Sequence, residues 1–423
     1  MSDLDYLTDG DLYVPDSIIK SKMDFKLKYR KNAETIAEFL GNSSRVVEGF
    51  GLPLFYADFL AWGLSKLTES SDFKVFGILG PSDEPIYSNV QTDYEVHESC
   101  LTDGVMLIEK NGIRMAITIV SNGYIQIAVN PENREEAKKL LLEINQYMDD
   151  HNYYKGKRIK FDGKISFLDV KQKEWDSIIL DADVKTSIRL NAVGFLRNIA
   201  QIEKVGIPPK RGIILAGDPG TGKTIICKAL MTEAVNITCI TTEAYGQYSG
   251  GYISDLYYLA DDLSPSIVFL EDIDFIGQER QEIYHGNPPL LTLLAEMDGI
   301  TEKKGIVTVA TSNFFETLDK ALCERPSRFD CVYKINLPNP KQRTELVKNI
   351  AEKIPCSENV QEHIVTNTEG FTPAQIQGVL HSMAISQIAN GQENMQFTNT
   401  DVDSAIAQIN YKKNGTMGFC RVP

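Results

Sequence analysis

The stretch from Gly217 to Thr224 matches G-x-x-x-x-G-K-[ST], a pattern whose residue types and spacing bind phosphate. An apolar run (213–216) precedes it and a helical pattern begins at Ile225, so backbone N–H groups and a helix N-terminus would point at an anion. Lys223 would reach the β- and γ-phosphates of a nucleotide, and the Thr224 hydroxyl would bind Mg²⁺. A chance glycine-rich loop is the alternative, which the flanking elements and the later motifs disfavour. The candidate binding residues are Gly217, Asp218, Pro219, Gly220, Thr221, Gly222, Lys223, Thr224 and Ile225.

A second apolar run, residues 266–270, is followed by three acids, Glu271, Asp272 and Asp274. A buried strand has little reason to end in carboxylates unless a cation lies there, although a solvated strand end is the alternative. In phosphoryl transfer one such acid holds Mg²⁺ through water, and a neighbouring acid orients and deprotonates the attacking water. We therefore expect this strand to lie beside the strand that precedes the phosphate-binding loop.

Polar residues after a third apolar run, 306–310, are candidates for completing this chemistry. The amide of Asn313 would reach a γ-phosphate or its attacking water. Arg325 and Arg328 lie three residues apart beside Pro326, so one edge of the protein would present both. Arginine fingers stabilise the transition state of phosphoryl transfer, often from a neighbouring subunit. Two ordinary surface arginines are the alternative.

Taken in order, these motifs resemble the AAA family of the AAA+ ATPases, with its second region of homology, over residues 175–406. The resemblance implies an α/β P-loop core (a parallel sheet with helices on both faces), a helical C-terminal lid, and binding of ATP and Mg²⁺. It also implies that Asn313 is the sensor 1 residue and that Arg325 and Arg328 are arginine fingers acting in trans. By the same likeness, the adenosine-binding residues are Ser177, Ile178, Pro373 and Ala374.

The order Glu271-Asp272 departs from the usual Asp-Glu of the family's Walker B motif. It is similar to the branch that contains the mitochondrial Rieske-protein translocases, as is the segment 206–212. By position Asp272 would be the base and Glu271 the acid that binds the metal. Their side chains differ in reach by one methylene, so both assignments stay open. That branch has a membrane-spanning N-terminus, which we do not expect here.

Residues 243–251 fall where the family carries pore loop 1, and they combine aromatic residues with glycines. Tyr248 aligns with the aromatic residue that grips a polypeptide in the central channel. The alternative is that the aromatic side chains of this loop pack locally. The loop 278–289 is a weaker second candidate for a pore loop.

Composition restricts the class of protein further. With 423 residues the chain is too long for one ordinary core, and its net charge of −15 disfavours general nucleic-acid binding. Its seven cysteines are odd in number and never spaced as CxxC, so neither a disulfide framework nor a zinc site is indicated. No signal peptide opens the chain and no apolar window is long enough to span a bilayer. We expect a cytoplasmic protein without a membrane span.

Hydrophobic periodicity predicts three domains. Residues 1–170 are typical of an α+β domain that recognises a substrate or partner, with helical spacing over 33–66. The strand candidates of this domain are 73–79, 105–109, 113–120 and 124–129. Residues 171–336 alternate between β and α patterns, as in a parallel sheet, with a helix over 181–203. Residues 337–423 are predicted to form a helical lid and a tail.

The most specific hypothesis is an ATPase that assembles into a ring, a homohexamer, and remodels, unfolds or translocates a protein. The alternative is a nucleotide-gated scaffold that regulates a partner such as a protease without threading a polypeptide. Threading needs Tyr248, whereas a scaffold does not. A nucleic-acid motor is a third class, and it would need a DNA contact through the basic run 26–31.

Overall fold

The structure is a computed structural model that describes residues 32–42, 44–81, 84–242, 250–276, 288–299, 305–323, 328–391 and 396–414. The chain divides into two compact units, residues 1–169 and 170–423. None of the helices in these ranges combines the length and the apolar character that crossing a bilayer requires. The expected boundary between core and lid, near residue 337, lies inside the second unit and stays a prediction.

The first unit contains an antiparallel sheet flanked by helices. Its strands are β1 (Val46–Gly51), β2 (Phe73–Leu79), β3 (Ile86–Asp93), β4 (Val96–Lys110), β5 (Ile113–Val120) and β6 (Tyr124–Val129). They pair in the order β1-β6-β5-β4-β2, and β3 pairs with the first half of β4. The helices are α1 (Ala33–Leu40), α2 (Ala57–Thr68) and α3 (Arg134–Asp150), and a hairpin of β7 (Arg158–Phe161) and β8 (Ile165–Phe167) follows. The predicted α+β class is confirmed.

The predicted helical stretch 33–66 is wrong in its middle, because β1 lies between α1 and α2. Gly41 ends α1 in the left-handed conformation (φ 72°), which glycine adopts without strain. β1 then pairs with β6, with Val46 opposite Val129, and local periodicity does not record this tertiary contact. The sequence pattern also misses β3, and β4 begins at Val96 rather than 105 because β3 supplies a partner for its first half.

In the described part of the second unit, five strands pair in parallel in the order β13-β9-β12-β11-β10. They are β9 (Lys210–Ala216), β10 (Thr238–Thr242), β11 (Ser266–Leu270), β12 (Ile306–Ser312) and β13 (Cys331–Lys334). β11 and β12 are buried along their whole length, as expected for parallel strands covered on both faces.

The expectation that the acid-bearing strand lies beside the strand of the phosphate-binding loop is wrong. β12 lies between β9, which leads into that loop, and β11, which leads into the acids. Because the carboxyl ends of parallel strands meet at one edge of a sheet, this order inserts Asn313 between the loop and the acids.

The core helices of the second unit are α4 (Ala182–Arg189), α5 (Ile199–Lys204), α6 (Lys223–Glu233), α7 (Gly250–Asp262) and α8 (Pro288–Asp298). The single helix predicted over 181–203 is interrupted. A π-helical turn, Leu190–Gly194, and a single α-helical turn, Phe195–Arg197, separate α4 from α5. The predicted α/β core is otherwise confirmed.

Four helices follow the core: α9 (Pro340–Ala351), α10 (Glu358–Asn367), α11 (Pro373–Ala389) and α12 (Asn399–Asn414). Capping boxes start α9 at Asn339 and α11 at Thr372, and in both the first helical residue is proline. The four helices share their own apolar core, which includes Val347, Ile364 and Leu380. The predicted helical C-terminal region is confirmed.

Candidate active site

A cleft of about 660 Å³ opens in the second unit at the carboxyl ends of β9, β11 and β12. The sequence-predicted residues that line it are Ser177, Ile178, Pro219, Gly220, Thr221, Gly222, Lys223, Thr224, Ile225, Glu271, Asp272, Asn313, Pro373 and Ala374. Gly217 and Asp218 do not line the cleft, but their carbonyl oxygens accept hydrogen bonds from Lys223. Residues from five separate segments of the chain therefore meet in one place.

Lys223 is held at the base of the phosphate-binding loop. Its ammonium group donates to the carbonyl oxygens of Gly217 (2.6 Å) and Asp218 (3.1 Å) and to Asn313 Oδ1 (2.8 Å). The residue is only 7% exposed. Burial lowers the pKa of Lys223, and the carboxylates of Asp272, Asp274 and Asp218 oppose this shift. A cation is thus fixed where the loop would place phosphate groups.

Two glycines allow the loop to approach its neighbours closely. A Cβ at Gly217 would lie 2.4 Å from the carbonyl oxygen of Ile335. Gly220 has φ +84°, and a Cβ there would lie 2.9 Å from the Cβ of Ala374. The Ala374 N–H also donates to the Gly220 carbonyl oxygen (3.2 Å). The first turn of α11 therefore rests on the loop, which is why Pro373 and Ala374 reach the cleft.

Asn313 joins the loop to the acids. Its Oδ1 accepts from Lys223, and its Nδ2 donates to Asp272 Oδ1 (2.9 Å). Asp272 adopts the left-handed conformation (φ 52°), and its N–H donates to Thr311 Oγ1 (2.9 Å). Non-glycine residues adopt this conformation rarely, and such residues cluster at functional sites. The unusual backbone turns the Asp272 carboxylate toward the end of β12.

Glu271 lines the same cleft as Asp272 and the start of α6. Burial raises the pKa of Cys227 on α6, and the charge of Glu271 raises it further. Thr224 precedes Cys227 by three residues and therefore shares its face of the helix. Glu271 and Thr224 thus line one cleft, and Asp272 in that cleft accepts from Asn313 Nδ2.

Thr224 and Glu271, the predicted ligands of Mg²⁺, both line the cleft. Magnesium in nucleotide sites takes one or two protein oxygens, with phosphates and waters as the other ligands. The described residues contain no group of three His, Cys, Asp or Glu side chains that could hold a metal by themselves. A hydroxyl and a carboxylate on one cleft are the kind of donor set that a phosphate-bound Mg²⁺ uses.

The wall that carries Ser177 and Ile178 is anchored by Glu233 at the end of α6. The carboxylate accepts from Trp175 Nε1 (2.7 Å), from Arg189 Nε (2.8 Å) and from Arg189 Nη2 (2.9 Å). Burial raises the pKa of Glu233, but Arg189, Trp175 and Arg197 together outweigh burial and hold it below its ordinary value. The sequence analysis missed Glu233, since nothing local connects it to a turn 58 residues earlier.

Two lid helices supply further lining residues that the sequence analysis missed. They are Leu346, Asn349 and Ile350 on α9, Lys353 and Ile354 in the turn that follows it, and Gln377 and His381 on α11. Spacings of three and four residues place Leu346, Asn349 and Ile350 on one face of α9 and Gln377 and His381 on one face of α11, and this signal could have found these five residues. The sequence alone does not say which face meets the loop.

The buried guanidinium of Arg328 lies outside the cleft, in an ion pair with the partly exposed Asp298. Its Nε and Nη2 donate to Asp298 Oδ1 (2.7 Å) and Oδ2 (2.6 Å), and its Nη1 donates to the carbonyl oxygen of Ala321. The residue is 6% exposed. A finger role for Arg328 therefore requires this pair to open, and it stays a prediction. Arg325 and Tyr248 lie outside the described residues, so their roles stay predictions as well.

Comparison with known proteins agrees with this geometry. Residues 213–337 match the ATPase family associated with various cellular activities (AAA). The chain is 34% identical over 230 residues to the proteasome-activating nucleotidase of Saccharolobus solfataricus, covering 52% of this chain and 58% of that protein. The corresponding protein of Sulfurisphaera tokodaii gives the same identity and coverage. That of Methanocaldococcus jannaschii is 28% identical over 302 residues, covering 64% of this chain and 70% of that protein.

The matched region contains most of the residues predicted to bind and hydrolyse the nucleotide. Residues 213–337 contain the phosphate-binding loop, both acids at the end of β11 and Asn313 at the end of β12. The chain spans a little over half the length of the Saccharolobus and Sulfurisphaera relatives. Over residues 213–337 the chain is therefore similar to the ATPase domains of the AAA family.

Proposed function

We propose that this chain hydrolyses ATP to ADP and phosphate. The observation that carries the proposal is the line of hydrogen bonds from Lys223 through Asn313 to Asp272. It places a cation for the phosphates, an amide and a carboxylate in one cleft, which are the groups that phosphoryl transfer to water needs. The AAA domain and the name of the relatives, proteasome-activating nucleotidase, support the same reaction.

In this mechanism the loop binds the phosphates of ATP, and Lys223 exchanges a loop carbonyl for a phosphate oxygen. Asp272 accepts a proton from a water molecule as the water oxygen bonds to the γ-phosphorus. The bond between that phosphorus and the bridging oxygen breaks and leaves ADP. Asn313 holds the Asp272 carboxylate through its Nδ2–H, so the base does not have to be oriented during the reaction.

Thr224 and Glu271 would hold Mg²⁺, which supplies positive charge at the β- and γ-phosphates. This division leaves Asp272 to act as the base, and its hydrogen bond with the Asn313 amide supports that role. From the order Glu271-Asp272 we further propose that this chain is similar to the Rieske-protein translocase branch of the family.

We also propose that the chain works as a homohexameric ring that unfolds or translocates a protein. Arg325 and Arg328 would act on the nucleotide of the neighbouring subunit, Tyr248 would grip the polypeptide, and the first unit would recognise the substrate or partner. The described cysteines form no disulfide with one another, as is usual in a reducing compartment, which supports a cytoplasmic location. A scaffold that regulates a protease is the second candidate, favoured by the words "proteasome-activating" in the relatives' name.

Three variants test the reaction. Lys223→Ala should weaken ATP binding by at least about 100-fold, since it removes a buried cation from the phosphate loop. Asp272→Asn should keep its dissociation constant for ATP within about threefold and lower kcat by roughly 10² to 10⁴. Glu271→Gln should weaken Mg²⁺-dependent binding instead. Binding is measured by calorimetry and turnover by phosphate release.

Glu316→Gln is the control, because this acid is 81% exposed and its carboxylate pairs with Lys334 outside the cleft. It should change neither binding nor turnover. Near-normal turnover in both Glu271→Gln and Asp272→Asn would mean that the two acids are structural. Tight ATP binding by Lys223→Ala would show that residues 217–224 do not form the phosphate-binding loop.

A further inference from the structure

Asp274 is a buried carboxylate that the mechanism above does not use. It follows Asp272 by two residues, within the 3₁₀ turn Ile273–Phe275, and is 6% exposed. Its Oδ1 accepts from Ser312 Oγ (2.7 Å) and from the Phe314 N–H (3.3 Å). Its Oδ2 accepts from the Asn313 N–H (2.7 Å). One side chain from the end of β11 thus binds three consecutive residues at the end of β12.

The backbone at this point needs an acceptor. Beyond Ser312 the chain leaves the sheet, so the N–H groups of Asn313 and Phe314 no longer face a strand partner. A buried N–H group without an acceptor is unfavourable by about 1–3 kcal/mol. A carboxylate satisfies both N–H groups together with the Ser312 hydroxyl, because each of its oxygens accepts hydrogen bonds. An asparagine at position 274 would turn an NH₂ group toward one of these donors.

The anchored backbone fixes the position of the sensor amide. Asn313 is the residue whose side chain contacts Lys223 on one side and Asp272 on the other. The Asn313 N–H donates to Asp274 Oδ2 over 2.7 Å. Asp274 also accepts hydrogen bonds from the residues on both sides, Ser312 and Phe314. Any shift of this turn moves the amide away from both catalytic partners.

We propose that Asp274 is a positioning residue for ATP hydrolysis, which holds the Asn313 amide between Lys223 and Asp272. The proposal rests on the proposed ATPase function. Asp274 acts through Asn313 and does not itself line the cleft. Its removal therefore affects the chemical step more than it affects the binding of ATP.

The test begins with Asp274→Asn, which keeps the shape of the side chain and removes one acceptor. A misplacement of about 1 Å in a catalytic group lowers the rate by about 10²-fold. We expect kcat to fall by roughly 10- to 100-fold, while the calorimetric dissociation constant for ATP changes by less than about threefold. Ser312→Ala removes one of the three hydrogen bonds and should lower kcat by a smaller factor.

Asp103→Asn is the matched control, because Asp103 is 3% exposed and belongs to the first unit. It replaces an equally buried carboxylate with the same amide, and it should leave kcat unchanged even if it lowers the melting temperature. A fall in kcat for Asp103→Asn as large as that for Asp274→Asn would mean that general destabilisation causes the loss, and it would overturn the proposal.

A double-mutant cycle with Asn313→Ala separates positioning from a merely structural role. If Asp274 acts through Asn313, Asp274→Asn should have little further effect on kcat in the Asn313→Ala background. Two effects that multiply would refute the proposal, as would an Asp274→Asn variant with wild-type kcat. A wild-type chain that binds ATP and never hydrolyses it would instead refute the proposed ATPase function. This outcome can be measured before any Asp274 variant is made.

Discussion

Replacing Arg328 with alanine should destabilise the second compact unit, in addition to any effect on catalysis. The side chain is buried and makes a two-pronged ion pair with Asp298 and a hydrogen bond to the Ala321 carbonyl. Removing one partner of a fully buried pair lowers the free energy of unfolding by about 3–5 kcal/mol. The Asp298 side chain is 37% exposed, so water recovers part of this loss, and we expect about 2–3 kcal/mol.

Thermal unfolding measures this effect. For a domain of this size a loss of 1 kcal/mol lowers the melting temperature by about 2–4 °C, so Arg328→Ala should melt roughly 4–12 °C lower than the wild type. The relevant transition is the one that an added ATP analogue shifts upward, because ligand binding stabilises only the unit that binds it. Asp298→Asn should lower the same transition.

Lys334→Ala is the matched control for an exposed pair. Lys334 lies 3.4 Å from Glu316, and both side chains are largely exposed, so the loss should be at most about 1 kcal/mol. An Arg328→Ala variant that melts within about 1 °C of the wild type would refute a stabilising role for the pair with Asp298. If kcat of the assembled protein then falls by about 10³-fold, Arg328 leaves Asp298 and acts as an arginine finger.

Two other predictions concern the nucleotide wall and the pore loop. The folded-state pKa of Glu233 lies below its ordinary value of 4.5, so its contribution to stability is complete above the unfolded pKa and is lost as pH falls through the folded pKa. Glu233→Gln should therefore lower the free energy of unfolding, measured in urea, by about 1–2 kcal/mol at pH 7. The difference between variant and wild type should shrink in acid. A difference that does not depend on pH would contradict the ion-pair explanation. Tyr248→Ala should keep ATP hydrolysis and abolish ATP-dependent unfolding of a tagged fluorescent protein, whereas Tyr248→Phe should retain it. Unfolding that survives Tyr248→Ala would favour the scaffold.

Local sequence was sufficient for the parts of the site whose residues are neighbours in the chain. The phosphate-binding loop from Gly217 to Thr224 carries its own glycines, its cation and the start of its helix, so its geometry follows from adjacent residues. The strand ends at Glu271 and Asn313 could be recognised in the same way, because an apolar run followed by polar residues is a local signal. The capped starts of α9 and α11 are also local features.

Strand order could not be read from the sequence, and it decided how these pieces meet. Placing β12 between β9 and β11 brings Asn313 within hydrogen-bonding distance of both Lys223 and Asp272. The same order lets Asp274 hold the turn after β12. These contacts join residues about 40 to 90 positions apart, and no spacing rule covers such distances.

Tertiary structure likewise decided which residues Arg328 and Glu233 contact. Arg328 could be recognised as an arginine near a motif, but only the packing of α8 gives it Asp298 as a partner. Glu233 looks like an ordinary residue at the end of a helix until Trp175 and Arg189 fold onto it. Residue type limits which bonds a side chain can make, and the fold alone decides which partner comes within reach, because burial of the apolar faces sets those distances.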